Sequence, residues 1–288
     1  MSQSILVTGG LGFVGSHLVD SLIELGDCNI TVIDNLCSES SSKSYMRDEV
    51  KYLIEDVRNL SDIKYRDLDF DIIYHLAALA RIQPSFKDPM TYLSIDIMGT
   101  AHVCELARRT KARIVYAGSS SAFAGPMLNP YAFAKYTGEQ TCEMFCKVYG
   151  VKASIARFFN VYGDRQPITG PYATVVGVFE EQSKKGEPIT VTGTGEQRRD
   201  FTHVKDIVQG LISMSKDAGN CLVYQLGTGK NYSINELANM FSKDIVYIPK
   251  RPGEAWITLA DNSLAKEKLD WSPLISLEKY VSELSWLN

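Results

Sequence analysis

Ser4-Ile5-Leu6-Val7-Thr8-Gly9-Gly10-Leu11-Gly12-Phe13-Val14-Gly15-Ser16 decides the fold. The first five residues are a short run rich in β-branched and apolar side chains, which reads as a buried strand. Three glycines at a spacing of three follow, at 9, 12 and 15, with an extra one at 10. From Ser16 to Leu25 the apolar residues Leu18, Val19, Leu22, Ile23 and Leu25 recur at helical spacing, and Gly26 stops the helix. Strand, glycine loop and helix make a phosphate cradle: Gly9 permits the tight turn, Gly12 lets the backbone approach a pyrophosphate, and Gly15 lets helix and strand pack closely. Taken alone, such a pattern is only a strand-to-helix turn. Here a second strand, Asn29–Ile33, follows and ends in Asp34, whose carboxylate suits ribose hydroxyls and would repel a 2′-phosphate. Together these predict a dinucleotide site, for NAD rather than NADP.

Working outward, strands and helices alternate. Further strands are expected at Val50–Ile54, Asp71–Leu76, Ala112–Ala117 and Lys152–Arg157, with helices at Met90–Arg109 and Tyr131–Tyr149 and a serine-rich loop over 38–44. This alternation predicts an α/β protein with a doubly wound parallel sheet, a Rossmann fold, whose ligands sit beyond the carboxyl ends of the strands. After Tyr162 the pattern changes to a Gly- and Pro-rich excursion over 163–172. A strand at Pro188–Thr192, a helix at Val204–Lys216, a strand at Val223–Leu226, a helix at Ile234–Phe241 and a strand at 244–248 follow, then two weaker helices. The expected division is a dinucleotide-binding part over 1–162, to which 203–226 returns, and an interleaved smaller lobe from 163–202 and 227–288.

Composition narrows the classes. With 45% apolar and 22% charged residues, 288 residues can bury an ordinary core without staples. Thirty basic against 34 acidic residues give a net charge of −4, which argues against a nucleic-acid surface. The six cysteines form no CxxC pair and the four histidines no HxxxH or HExxH, so no metal site is expected and reduced thiols in a cytoplasmic setting are. No apolar run approaches a membrane span, and the chain enters a strand so early that no secretory leader is expected.

A second constellation carries the chemistry. Tyr131 and Lys135 stand four apart at the start of a helix, which puts them on one face. An ammonium near a phenol favours phenolate, giving a base near neutral pH. Ser119-Ser120-Ser121 ends the fifth strand and brings hydroxyls to the same crevice. Asp56-Val57, closing the third strand, is a further candidate for the adenine.

The chain resembles the extended short-chain dehydrogenase/reductases, the NAD-dependent epimerases and dehydratases of nucleotide sugars. The resemblance rests on Thr8–Leu18, His75-Leu76-Ala77-Ala78, Gly99-Thr100, the three serines, Tyr131-Ala132-Phe133-Ala134-Lys135, Arg157–Gly163, Gly195–Val204 and Arg251-Pro252-Gly253-Glu254. It looks most like the UDP-glucose and UDP-N-acetylglucosamine 4-epimerases. The resemblance implies that Ser121 hydrogen-bonds the sugar hydroxyl, Tyr131 is the base, and Lys135 binds the nicotinamide ribose and tunes Tyr131. It implies NAD contacts from Gly9, Gly12, Phe13, Val14, Asp34, Asn35, Asp56, Val57, Leu76, Ala77, Ala78, Tyr131, Lys135 and Phe158. Substrate contacts are implied for Ser121, Asn160, Tyr172, Arg199, Arg251 and Thr258, with the two arginines on a diphosphate.

Dehydratases and decarboxylases of this group generally carry an acid just after the catalytic Ser or Thr. Here Ala122 and Phe123 follow Ser121, which leaves 4-epimerisation as the expected reaction, with a dehydratase, a reductase or a non-catalytic NAD-binding protein as alternatives. Three departures stand out: a short stretch from Ala122 to Pro130, Asp96 where the family often has Asn, and Thr258, seven after Arg251, where a small residue implies acceptance of N-acetyl groups. A UDP-linked sugar as partner and a homodimer through a four-helix bundle of Met90–Arg109 and Tyr131–Tyr149 complete what the resemblance implies.

Overall fold

The computed structural model describes residues 2–38, 41–60, 68–216, 219 and 221–287; part of the serine loop, residues 39 and 40, lies outside them. Seven parallel strands form the central sheet. In space they run Leu222–Leu226, Lys152–Phe158, Arg113–Ser119, Ile72–His75, Gln3–Thr8, Cys28–Asp34, Lys51–Ile54. The chain order reverses between Gln3–Thr8 and Ile72–His75, and the glycine loop leaves the sheet at that reversal. In an open parallel sheet this is where a ligand crevice opens.

Both faces of the sheet are covered. One face packs Val7, Val32, Tyr74 and Val115 against the helices Phe13–Leu25 and Val204–Lys216. The other packs Leu6, Ile33, Ile73, Ile114 and Ile155 against Gly99–Thr110 and Pro130–Tyr149. The alternation of the strands supplies both sets, which is why these strands are apolar throughout.

The helix expected over Met90–Arg109 runs continuously over 89–110 but contains a π turn. Pro89–Leu93 leads into a π turn, Ser94–Met98, and then into Gly99–Thr110. The turn rotates Asp96 inward, where its Oδ1 accepts the Leu79 N–H at 2.8 Å. Such single π turns concentrate at functional sites. The helix carrying Tyr131 starts at Pro130, where Pro is tolerated, and the Asn129 side chain caps it by accepting from Ala132 N at 2.8 Å.

A second core gathers Phe179, Ile189, Val191, Phe201, Leu237 and Phe241. Around it lie the helix Val175–Lys185, a parallel pair of Ile189–Thr192 with Ile245–Ile248, and the helix Ile234–Phe241, whose Ser233/Glu236 capping box closes its first turn. An antiparallel pair, Arg198–Asp200 with Asn231–Ser233, joins them. Asp200 is fully buried and its carboxylate accepts from Thr228 N and Oγ1, Gly229 N and Ala260 N. That one side chain binds the tail to the segment carrying Arg199. No described helix is long and apolar enough to cross a membrane.

Candidate active site

A cavity of about 750 Å³ runs along the carboxyl ends of the strands. At one end is the glycine loop. Gly9 has φ +72°, and a Cβ there would lie 2.7 Å from Ala77 N; a Cβ on Gly15 would run into the Gly9 carbonyl. The backbone is therefore drawn in tightly beneath the start of Phe13–Leu25, whose N-cap is Gly12, leaving the helix N-terminus open to an anion. Asp34 closes this end. Its Oδ2 accepts Leu11 N at 3.0 Å and its Oδ1 accepts Leu36 N at 2.8 Å, so it fixes the loop as well as facing the cavity. Burial pushes its carboxyl up, and these two N–H groups pull it back.

The loop is held from below. Thr8 Oγ1 pairs with His75 Nδ1 at 2.8 Å and accepts Ala77 N at 3.2 Å, while His75 Nε2 pairs with Thr100 Oγ1 at 3.1 Å. Burial pushes His75 down to about 3, so the ring is neutral. The cavity wall includes Gly9, Gly12, Phe13, Val14, Asp34, Asn35, Val57, Leu76, Ala77, Ala78 and Phe158 of the expected cofactor set. It does not include Asp56. That carboxylate turns to the Arg58 guanidinium, which bonds it at 2.9 and 2.8 Å, and the wall there is Glu55. The Arg58 bonds, opposed by burial, hold Asp56 below the usual carboxylate range.

Tyr131 stands midway, with Ser119, Ser120, Ser121 and Lys135 all on the wall. Two details differ from the sequence reading. First, Lys135 is buried and its Nζ donates to Ala117 O at 3.0 Å, over the Tyr116 ring, rather than to the Tyr131 phenol. Burial pushes Lys135 down, and Asp96 and Glu139 hold it up. Second, the hydroxyl of the serine trio that faces the phenol is that of Ser119, which also accepts Ser121 N at 3.1 Å. Burial raises Tyr131 above its ordinary value; Ser119 and the Arg81 guanidinium pull it back, and Asp96 pushes it further up. The cation whose charge pulls the phenol down is thus Arg81.

The far end holds Asn160, Tyr172, Arg199 and Arg251 on the wall. Arg199 Nη1 donates to Arg198 O at 2.9 Å and Trp256 O at 3.3 Å, and Nη2 lies 3.6 Å from Glu254. Burial lowers its pKa and Glu254 raises it. The turn bearing Arg251 is tied down by Gln83 Nε2 to Pro252 O and Asn129 Nδ2 to Gly253 O, both 2.9 Å. Thr258 is not on the wall. It is 7% exposed, its N–H donates to Arg198 O at 3.1 Å, and its Oγ1 accepts from Asn160 Nδ2 at 3.3 Å. The bridge of Ile257 to Arg198 draws it behind Asn160.

Sequence reasoning missed Arg81, and within the serine trio it singled out Ser121 rather than Ser119. An arginine three residues past His75-Leu76-Ala77-Ala78, within an apolar stretch that should face the crevice, was the available signal for the first. For Ser119 there was none, since three adjacent hydroxyls give no direction.

A switch-point cavity with a glycine cradle at one end and a Ser–Tyr–Lys cluster midway defines a dinucleotide-dependent enzyme acting on a sugar-sized hydroxyl compound. The chain belongs to the NAD dependent epimerase/dehydratase family, whose model matches residues 5–227. It is similar to UDP-glucuronic acid decarboxylase 1 of Arabidopsis thaliana, 32% identical over 96% of this chain and 67% of that one. Its fold is similar to UDP-glucose 4-epimerase of Thermotoga maritima solved with UDP-glucose (TM-score 0.90, 30% identical, 96% of each chain). It is also similar to a mutant UDP-glucuronic acid 4-epimerase of Bacillus cereus solved with a fluorinated UDP-glucuronic acid and NAD (TM-score 0.89, 26% identical, 99% and 98% of the chains). The chain is therefore an NAD-dependent enzyme of nucleotide-sugar chemistry. The cradle fits that cofactor: backbone N–H groups and a helix N-terminus for the pyrophosphate, and a carboxylate for the ribose.

Proposed function

We propose that the enzyme is a nucleotide-sugar 4-epimerase acting on a UDP-linked hexose. The observation that carries this reading is the wall around Tyr131. Among the described residues, the carboxylates on the cavity wall are Asp34 and Glu55 at the adenosine end and Glu254 beside Arg199. None stands beside Tyr131 to remove a proton from a neighbouring ring carbon. Ala122 is buried, and the exposed Phe123 lies over Arg157, so neither position after Ser121 supplies an acid.

Held by the glycine loop and Asp34, NAD would supply reversible hydride chemistry at carbon 4. Tyr131 takes the hydroxyl proton of that carbon as it becomes a ketone, with Ser119 and Ser121 offering donors to the developing carbonyl. Lys135, fixed by Ala117 O and lining the cavity, would hold the nicotinamide ribose. Arg199 and Arg251 hold the diphosphate while the 4-keto sugar turns its other face to the cofactor, and Tyr131 then returns the proton. Net redox change is zero, so the cofactor would not need to leave between turnovers. We also propose a homodimer through the helices around Met90–Arg109 and Tyr131–Tyr149; the exposed Met90, Met98, Met144 and Val148 on them support it.

The test is incubation of the purified protein with UDP-glucose, UDP-N-acetylglucosamine and UDP-glucuronate, followed by chromatography of the products. A 4-epimer from any of them is expected. Release of water or carbon dioxide without a 4-epimer overturns the reading. Tyr131→Phe should lower turnover by about 10²- to 10⁴-fold while retaining NAD.

A further inference from the structure

Arg81 lines the middle of the cavity and, among the described residues, has no counter-ion. Three other arginines each meet a carboxylate: Arg58 with Asp56, Arg157 with Glu139 and Arg165 with Asp20. Arg199, the cavity's other part-buried arginine, faces Glu254. Among the described residues no carboxylate pairs with Arg81. Its neighbours are phenols, those of Tyr92, Tyr131 and Tyr172.

The guanidinium is nevertheless held in place. Nε donates to Tyr172 O at 2.6 Å and Nη1 to Ala80 O at 2.9 Å. Among the described residues Nη2 has no acceptor, and Arg81 lines the cavity. Of five N–H donors, two are used for positioning, and the terminal edge of the fork is left with the others. The next residues hold the loop: Ser85 Oγ accepts Tyr131 N at 3.3 Å, and Gln83 reaches Pro252. A desolvated cation without an anion is costly to the fold. A planar fork held by two backbone carbonyls, with its open edge in a ligand cavity, is the geometry that receives a carboxylate.

The two phosphate groups of the ligands have places elsewhere. The cofactor's pyrophosphate belongs to the glycine loop, and the substrate's belongs to Arg199 and Arg251. The anion for Arg81 therefore sits beside the carbon on which Tyr131 works. On a hexose, carbon 6 is two bonds from carbon 4, and its oxidised form is a carboxylate. We propose that Arg81 is a substrate-binding residue for the carboxylate of a nucleotide-linked hexuronic acid, and that this class of sugar is the preferred substrate. The inference rests on the 4-epimerase reading for its orientation of the sugar. The binding of a carboxylate by Arg81 does not depend on which reaction follows.

The experiment separates the two. Tyr131→Phe holoenzyme, which should bind but not turn over, is titrated calorimetrically with UDP-glucuronate, UDP-glucose and UDP-N-acetylglucosamine. UDP-glucuronate should bind about 10- to 100-fold more tightly than the neutral sugars, the range expected for a charge-assisted bond. Adding Arg81→Gln should reduce that preference to less than about threefold, and Arg81→Lys, which keeps the charge without the fork, should leave an intermediate preference. Should Arg81→Gln fail to fold, the Arg81→Lys comparison decides. Equal or tighter binding of the neutral sugars, or equal losses for all three in the Arg81 variants, overturns the assignment. Preferential binding of UDP-glucuronate followed by loss of carbon dioxide from it in the wild-type enzyme would leave Arg81 its role and remove the epimerase reading.

Discussion

The two ends of the cavity are built from different materials. The cofactor end is mostly backbone: a glycine turn, the amide groups at a helix start and one carboxylate, all within Thr8–Asp34. The other end, where we place the substrate, is mostly long side chains, Arg81, Arg199 and Arg251, brought from three distant segments; carbonyls fix the first two, and one Glu faces Arg199. Backbone sites leave no room for a change of residue. Side-chain sites can be retuned one residue at a time, so a family built this way keeps its cofactor and varies its sugar.

The largest expected effect tests the first half of that contrast. Gly15→Ala would put a methyl group against the Gly9 carbonyl and within 2.8 Å of Gly10 Cα, both backbone. Neither can move without opening the turn. The variant should lose at least about 1–3 kcal/mol of stability and retain only traces of NAD, measured by melting temperature and by absorbance of cofactor released on denaturation. A variant with normal NAD content would show the cradle to be looser than its packing.

At the other end, Arg199→Gln should fold, keep NAD and raise KM for the nucleotide sugar about 10- to 100-fold with a smaller change in kcat, as loss of one charge-assisted contact to a diphosphate does. If NAD content fell as well, the two ends would be coupled and the contrast would fail.

Between the ends lies Asp96, buried, with Oδ2 unpartnered and its carboxyl pushed up to about 6 by burial, against the pull of Lys135. A carboxyl raised in the folded state stabilises below its unfolded pKa, and that stability is lost as pH rises through about 6. His75, pushed down to about 3, works in the opposite direction: between about 3 and 6.5 the unfolded chain binds the extra proton, so stability rises with pH. The two slopes offset each other between about pH 4 and 6. Asp96→Asn should therefore steepen the rise of melting temperature with pH across that window by unmasking His75. An unchanged profile would place the Asp96 carboxyl in a wetter setting than the structure gives it.

What the sequence made legible follows from the same contrast. The glycine loop, Asp34 and the Tyr131/Lys135 pair are set by contiguous spacing, so strand alternation and helical period were enough to place them in one crevice. The π turn that aims Asp96 inward breaks the helical period and could not be read from it. What Arg81 and Thr258 face depends on tertiary contacts, Tyr172 and Ala80 for one and Arg198 and Asn160 for the other, and no spacing within the chain announces them. The ammonium expected beside the phenol went to Ala117 instead, because a buried amine takes the nearest strong acceptor.

The smallest effect is expected at Thr258. The family resemblance implied a pocket wall whose size screens the sugar. The structure puts it behind Asn160, in contact with that side chain and with Arg198 O, and off the cavity wall. Thr258→Val keeps the shape and removes only the acceptor for Asn160 Nδ2, which is also held by Asp200 O at 2.7 Å. It should cost about 0.5–1.5 kcal/mol of stability, the net worth of one hydrogen bond, and leave the ratio of kcat/KM between UDP-N-acetylglucosamine and UDP-glucose unchanged within about twofold, which is under 0.5 kcal/mol. Thr258→Tyr, by contrast, should overpack a closed site and lower the melting temperature before it selects among sugars. A Tyr variant of undiminished stability that discriminates against the N-acetyl sugar would return Thr258 to the pocket wall, and the substrate end would then extend behind Asn160.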